Sequence, residues 1–227
     1  MEKLTELIEE YNHVHEMVKE CPYRFLKKMS VDQISQGDIV IYQGDSIQRF
    51  YIIVEGTAKI YVTSENGRTY SQAIYQKGDF IGEIEIFDQY SSVSNVKALT
   101  DLTLISIDRK DFLEWMSVDH HMSFYFNRRL AKYLYNLAMK AGVDSLYPLK
   151  YRLCDFILKE MVPYQRNHYI VRVSKSQMSE LHAVTLRSVN RVLRELAEKN
   201  VIKFKEDGII VPHPQLLSDE KENSLLE

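Results

Sequence analysis

The sequence predicts a mixed α+β chain in two parts, a closed or double-sheet β region followed by helices. Three observations carry that prediction. Short β-rich runs alternate with glycine turns between about Val31 and Asp108. A helical stretch without Gly or Pro follows Asp119, to about Ala141. Two short capped helices and a hairpin lie between Ser174 and Val211. The 227 residues suffice for two ordinary cores.

In chain order, Leu4, Leu7, Ile8, Tyr11, Val14 and Val18 fall three and four apart, one face of an amphipathic helix that Pro22 ends. Residues 1–22 are the expected N-terminal helix and 23–117 the expected β domain. The strand-like runs are 39–42, 50–54, 58–62 and 103–107. Asn66-Gly67 predicts a tight hairpin with φ > 0 at both residues. Asp108 is the expected N-cap of a short helix through Trp115. In the long helix, 118–143, the positions Phe126, Leu130, Tyr133, Leu137 and Lys140 alternate four and three apart, with Leu134 and Ala138 beside them. Such a seam suits a partner helix, giving Phe126, Leu130, Tyr133, Leu134 and Leu137 as the dimer interface. The same stripe also suits the β domain, and a helix here can do both. Gly142 and Pro148 bracket the expected hinge.

Ser174-Lys175-Ser176-Gln177 reads as a capping box opening a helix with Met178 and Leu181 inward. After the turn His182-Ala183-Val184, Thr185 caps a second helix that buries Val189, Val192, Leu193 and Leu196. Its other face carries Arg187, Ser188, Asn190, Arg191 and Arg194. Two short helices joined this way describe a helix-turn-helix, whose second helix enters the DNA major groove. Residues 201–205 and 209–211 flank Glu206-Asp207-Gly208, a hairpin wing. Arg187, Ser188 and Arg191 are expected on bases, and Lys175, Arg194, Lys203 and Lys205 on phosphates. Ser176, Thr185, Leu186 and Asn190 complete the expected interface. Charge agrees: residues 1–147 carry 16 basic and 21 acidic residues, whereas 148–217 carry 12 and 7. The expected DNA-binding domain is 144–217 and the acidic tail 218–227.

Together with the helix-turn-helix over 174–196, Gly37, Gly44-Asp45, the run 50–56 and Gly78-Asp79-Phe80-Ile81-Gly82-Glu83 make the chain resemble the CRP/FNR family of bacterial transcription regulators. Residues 80–88 and Tyr147-Pro148-Leu149 are most similar to its YeiL-type branch. The resemblance implies a cyclic-nucleotide-binding-like β-roll (a double-stranded jelly roll), a long central dimerisation helix and a C-terminal winged helix-turn-helix. It implies a homodimer on a palindromic site in double-stranded DNA, and it admits RNA polymerase and a small-molecule effector as further partners. The matching effector pocket is Gly82, Glu83, Ile84, Ser92, Ser94, Asn95 and Tyr133. In cyclic AMP-binding members an Arg-Ser pair grips the phosphate, but residues 91–98 contain no arginine, and the usual Thr-Ser pair on the central helix becomes Tyr133-Leu134. The prediction is that cyclic AMP is not the effector. The familiar Arg-Glu at the front of the reading helix becomes Leu186-Arg187, which predicts an altered operator, and Ala183 stands where glycine is frequent.

Other chemistries fit less well. Two cysteines, Cys21 and Cys154, cannot hold a four-cysteine iron–sulfur cluster within one chain and read as buried thiols. The pairs His13/His15 and His120/His121 do not share a helix face, so no metal site is assigned. A cupin-type enzyme would need barrel metal ligands, yet residues 30–115 hold no His or Cys; no catalytic residue is assigned. A small-molecule-binding module without a DNA role is opposed by the basic C-terminal segment. An acidic start without an apolar core, and no apolar run near ~18 residues, predict a cytoplasmic protein without a membrane span.

Overall fold

The computed structural model describes residues 1–88, 90–165 and 168–226. The chain divides into two compact units, Met1–Asn136 and Leu137–Glu227, each with its own buried apolar cluster. Among the described residues no helix is long and apolar enough to cross a membrane.

The first unit opens with α1 (Glu2–Glu10), α2 (Asn12–Val18) and the short α3 (Tyr23–Leu26). The single helix expected here is broken at Tyr11, whose backbone is extended. Its N–H closes α1 on Leu7 O at 3.0 Å, and its carbonyl accepts from Val14 and His15 to start α2. The apolar face survives the break, with Leu4, Leu7, Val14, Met17 and Val18 all buried, so periodicity alone could not reveal it.

Among the described residues eight strands follow in two antiparallel sheets. One has the order β1 (Ser30–Ile34), β8 (Leu102–Asp108), β3 (Arg49–Glu55), β6 (Phe80–Ile81). The other runs β2 (Ile39–Ile41), β7 (Asn95–Ala98), β4 (Thr57–Thr63), β5 (Thr69–Gln76). The β4–β5 hairpin is present, but only Gly67 of the Asn-Gly pair has positive φ. Ser64 N–H donates to Arg68 O and Gly67 N–H to Ser64 O, enclosing a three-residue loop rather than the two-residue turn expected. Asn66 Oδ1 accepts from the Ser64 hydroxyl at 2.7 Å and from Arg68 N–H at 3.3 Å, which favours the wider loop.

Helix α4 (Arg109–Val118) starts where expected, but the Asp108 carboxylate makes no cap and instead accepts from Arg49 Nε at 3.1 Å. The buried Asp119 carboxylate accepts from Trp115 Nε1 and from Met122 N–H, joining α4 to α5 (His120–Leu146). Phe126 of α5 stacks on Phe80 and packs against Phe50 and Phe112 in the core. This corrects its assignment to a dimer interface: the ring is fully buried inside its own unit. Leu130 also packs on this core, and the Tyr133 ring stacks on Tyr75, so both face inward. Leu134 and Leu137 are 68% and 51% exposed. Gly142 does not end the helix. Ion pairs from Asp144 to Lys140 and Arg152 hold the last turn, against a glycine cost of about 1 kcal/mol, and the link shortens to Tyr147-Pro148.

The second unit contains the end of α5, α6 (Leu149–Glu160), β9 (Val162–Pro163), β10 (Tyr169–Val171), α7 (Lys175–Leu181), α8 (Leu186–Glu198), β11 (Lys203–Lys205), β12 (Gly208–Val211) and α9 (Pro214–Asn223). Its sheet order is β11-β12-β10-β9. The wing turn is Glu206-Asp207 alone, because Lys205 pairs with Gly208. Gly208 belongs to the strand: a Cβ there would lie 2.4 Å from Val171 O, so close backbone approach demands glycine. The acidic end is not a free tail over the described residues. Leu217 and Ser224 are buried, and Glu220 pairs with the buried Lys150 at 2.9 Å; Glu227 lies outside the described residues.

Candidate nucleic-acid interface and effector pocket

The recognition surface is built by local sequence. Ser174 Oγ accepts from Gln177 N–H at 3.1 Å while Gln177 Oε1 accepts from Ser174 N–H at 2.9 Å, so the capping box closes as expected. Thr185 Oγ1 accepts from Ser188 N–H, and the two hydroxyls bond each other at 2.9 Å. Both hydroxyls therefore begin α8 before either can meet DNA. Val189, Val192, Leu193 and Leu196 are buried, which turns Arg187, Arg191 and Arg194 outward, with Leu186 exposed and Asn190 half-buried beside them. Among the described residues no carboxylate pairs with these three arginines, whereas Lys150, Arg152, Lys159, Lys199 and Lys221 of the same unit are all in ion pairs. These three arginines share one face of α8.

Lys175 and Ser176 are exposed at the start of α7, and Lys175 Nζ lies 4.3 Å from the centre of the Phe204 ring. Phe204, 47% exposed on the wing, is a contact the sequence reading missed. Strand alternation places Lys203 and Lys205 on the opposite face of β11 from Phe204. Lys205 lies over Tyr164 and donates to its hydroxyl.

The residues named as an effector pocket do not converge. Glu83 is buried, and its carboxylate accepts from Tyr75 OH at 2.7 Å. Tyr75 stacks on Tyr133, whose hydroxyl donates to Asp79 Oδ1 at 3.0 Å and accepts from Phe80 N–H. Arg129 reaches the same Asp79 oxygen at 3.4 Å. Burial pushes the Glu83 carboxyl up to about 7 and raises both tyrosines. Asp79 Oδ2 accepts from Gln76 N–H at 2.8 Å to close the turn, while its Oδ1 holds Tyr133. Gly82 is buried beside Glu83, whereas Ile84 is 59% exposed. Ser92 and Ser94 are buried and satisfied internally, the first on Ser94 O and the second on Gln72. Only Ser92 and Asn95 of the named set line an open groove of about 670 Å³, with Gln43, Gly44, Tyr61, Thr63 and Val93.

Burial pushes the thiols of Cys21 and Cys154 up to about 12, so both are protonated at neutral pH. His121 Nε2 bonds Glu16 O at 2.7 Å, and among the described residues no group of three potential ligands converges on a metal position.

A double-sheet β domain followed by a helix-turn-helix with a wing defines the class, a transcription regulator with a DNA-binding domain. Residues 31–119 match the cyclic nucleotide-binding domain and 151–220 match the Crp-like helix-turn-helix domain. The Cyclic AMP receptor protein of Thermus thermophilus is 24% identical over 189 residues, covering 81% of this chain and 84% of the relative. The cAMP-activated global transcriptional regulator CRP of Salmonella typhimurium is 22% identical over 192 residues, covering 82% and 91%. The solved c-di-GMP responsive global regulator CLP of Xanthomonas campestris shares the fold with a TM-score of 0.74 at 16% identity, covering 84% of this chain and 97% of that one. The chain is a member of the CRP/FNR family of transcription regulators. The relatives are regulators rather than enzymes, and they do not single out the YeiL-type branch.

Proposed function

We propose that the chain is a homodimeric, cytoplasmic, sequence-specific DNA-binding regulator that recognises a palindromic site and does not respond to cyclic AMP. The observation that carries DNA reading is the α8 face: Arg187 and Arg191 stand one turn apart, unpaired among the described residues, on a helix whose other face is locked in the core. Dimerisation is supported by the exposed Leu134 and Leu137 of α5, with Tyr135 and Met139 exposed beside them. Phe126 is withdrawn from that interface, and Leu130 and Tyr133 serve it only at their edges. Twofold symmetry in the protein then calls for twofold symmetry in the operator. RNA polymerase and a small effector are the further partners of this reading, with the effector or the unliganded chain biasing which arrangement of recognition helices is populated.

Independence from cyclic AMP is supported by the missing arginine in residues 91–98 and by the engagement of Glu83 and Tyr133 with Tyr75 and Asp79. A cyclic phosphate entering there would meet buried carboxylates, and the nearby Arg129 guanidinium is already engaged by Asp79 and Tyr125. The deciding experiment selects bound duplexes from a random pool. A symmetric consensus is expected, with a sedimenting mass twice the 26.7 kDa chain and no thermal shift on adding cyclic AMP. Arg187→Ala should cost about 1–3 kcal/mol on that consensus and relax one position in each half-site. Unchanged selectivity in that variant removes Arg187 from the reading surface.

A further inference from the structure

The turn between α7 and α8 fixes the angle at which the reading helix is presented, and its carbonyls are held from outside the motif. Within the turn, His182 N–H donates to Met178 O, Ala183 N–H to Glu180 O and Val184 N–H to Ser179 O, while Ser179 Oγ donates to Val184 O. Two carbonyls at the end of α7 then accept from cations on other elements. Lys140 Nζ, near the end of α5, reaches Leu181 O at 2.9 Å. Arg152 Nη1, on α6, reaches His182 O at 3.3 Å. Asp144 ties the two donors together, 3.2 Å from Lys140 Nζ and 2.8 Å from Arg152 Nη1. All of these groups belong to the second unit. The residue that follows these two carbonyls, Ala183, sits at φ +54°, a conformation that costs an L side chain about 1–2 kcal/mol.

We propose that Lys140, Asp144 and Arg152 form a clamp through which the end of α5 sets the orientation of α8, making them positioning residues for DNA reading. The inference rests on the DNA-binding reading above and names how that site is governed. Positive charge at the carboxyl end of α7 complements the helix dipole, and the Asp144 bridge keeps both cations aligned on the carbonyls. Because Lys140 lies on α5 itself, any rotation or bend of that helix is felt directly at Leu181 O. A loosened turn leaves the phosphate-binding cations in place but blurs the register of Arg187 and Arg191 on the bases.

The test compares wild type, Lys140→Met and Lys140→Arg in the full chain. Affinity is measured for the duplex selected by wild type and for a scrambled duplex, along with amide exchange at Ala183 and Val184. The clamp predicts that Lys140→Met lowers the ratio of specific to scrambled affinity at least tenfold and speeds exchange at both amides. Lys140→Arg, which keeps charge and donor, should retain most of the ratio. A variant that is merely less folded would lower both affinities together and leave the ratio intact. An unchanged ratio in Lys140→Met, or an equal loss in Lys140→Arg, overturns the clamp. If wild type selects no sequence, the DNA reading itself fails, and the exchange rates still decide whether the turn is held by Lys140.

Discussion

Replacing Glu83 by Gln isolates the electrostatics of the β-domain interior. The carboxyl is buried, its side-chain donor is Tyr75, and Glu85 and Asp79 lie near enough to disfavour its charge. Desolvation dominates and moves it from the ordinary 4.5 to about 7. A carboxyl raised in this way holds a proton in the native state that the unfolded chain has already released. Its contribution is therefore most favourable below about pH 4.5, declines as pH rises toward 7, and levels off above that. The gap is worth on the order of 3 kcal/mol. Glutamine keeps the shape and an acceptor for Tyr75 but cannot ionise. Urea unfolding of both proteins from pH 4 to pH 8 should show near parity at the acid end and a variant more stable by about 3 kcal/mol at pH 8. A difference that stays flat across that range would refute the reasoning, because it would mean that Glu83 is not paying a desolvation cost.

Two further substitutions probe the second unit. Ala183→Gly relieves a left-handed residue and should stabilise the unit by about 0.5–1 kcal/mol after the added chain entropy of glycine, read as a higher urea midpoint at constant slope. Lys150→Met removes a 6% exposed ammonium that bridges Glu195 and Glu220 at 2.7 and 2.9 Å, and should cost about 2 kcal/mol, less than a fully buried pair because Lys199 still serves both acids. The Lys150 hydrogen bond holds Glu195 below the usual carboxylate range. That part of the stability is present above about pH 4.5 and fades as pH falls, so wild type and Lys150→Met should converge in acid unfolding.

The legible parts of this molecule were those set by neighbours in sequence. The Ser174–Gln177 box, the Thr185 cap and the buried stripe of α8 depend on contacts within four residues, and each formed as read. Two local readings failed, Asn66-Gly67 as a two-residue turn and Asp108 as a cap, and the rest of what was illegible required knowing the neighbour across space. The Phe126 stripe has the same spacing whether it meets a partner helix or its own β domain, and only packing reveals the aromatic core around it. Tyr75, Asp79 and Glu83 lie within residues 75–83, and Tyr133 joins them only from the distant α5. The clamp on the recognition turn escaped for a similar reason: backbone carbonyls leave no signature in a sequence.

The continuity of α5 dictates where the chain can be cut. Its 27 residues rise about 40 Å. Its first half supplies Phe126 to one core, and its end supplies Lys140 and Asp144 to the other unit. A fragment beginning at Pro148 would strand the Arg152 guanidinium, 10% exposed, without the carboxylate that neutralises it. The boundary between the two compact units falls between Asn136 and Leu137, inside a helix rather than in a loop.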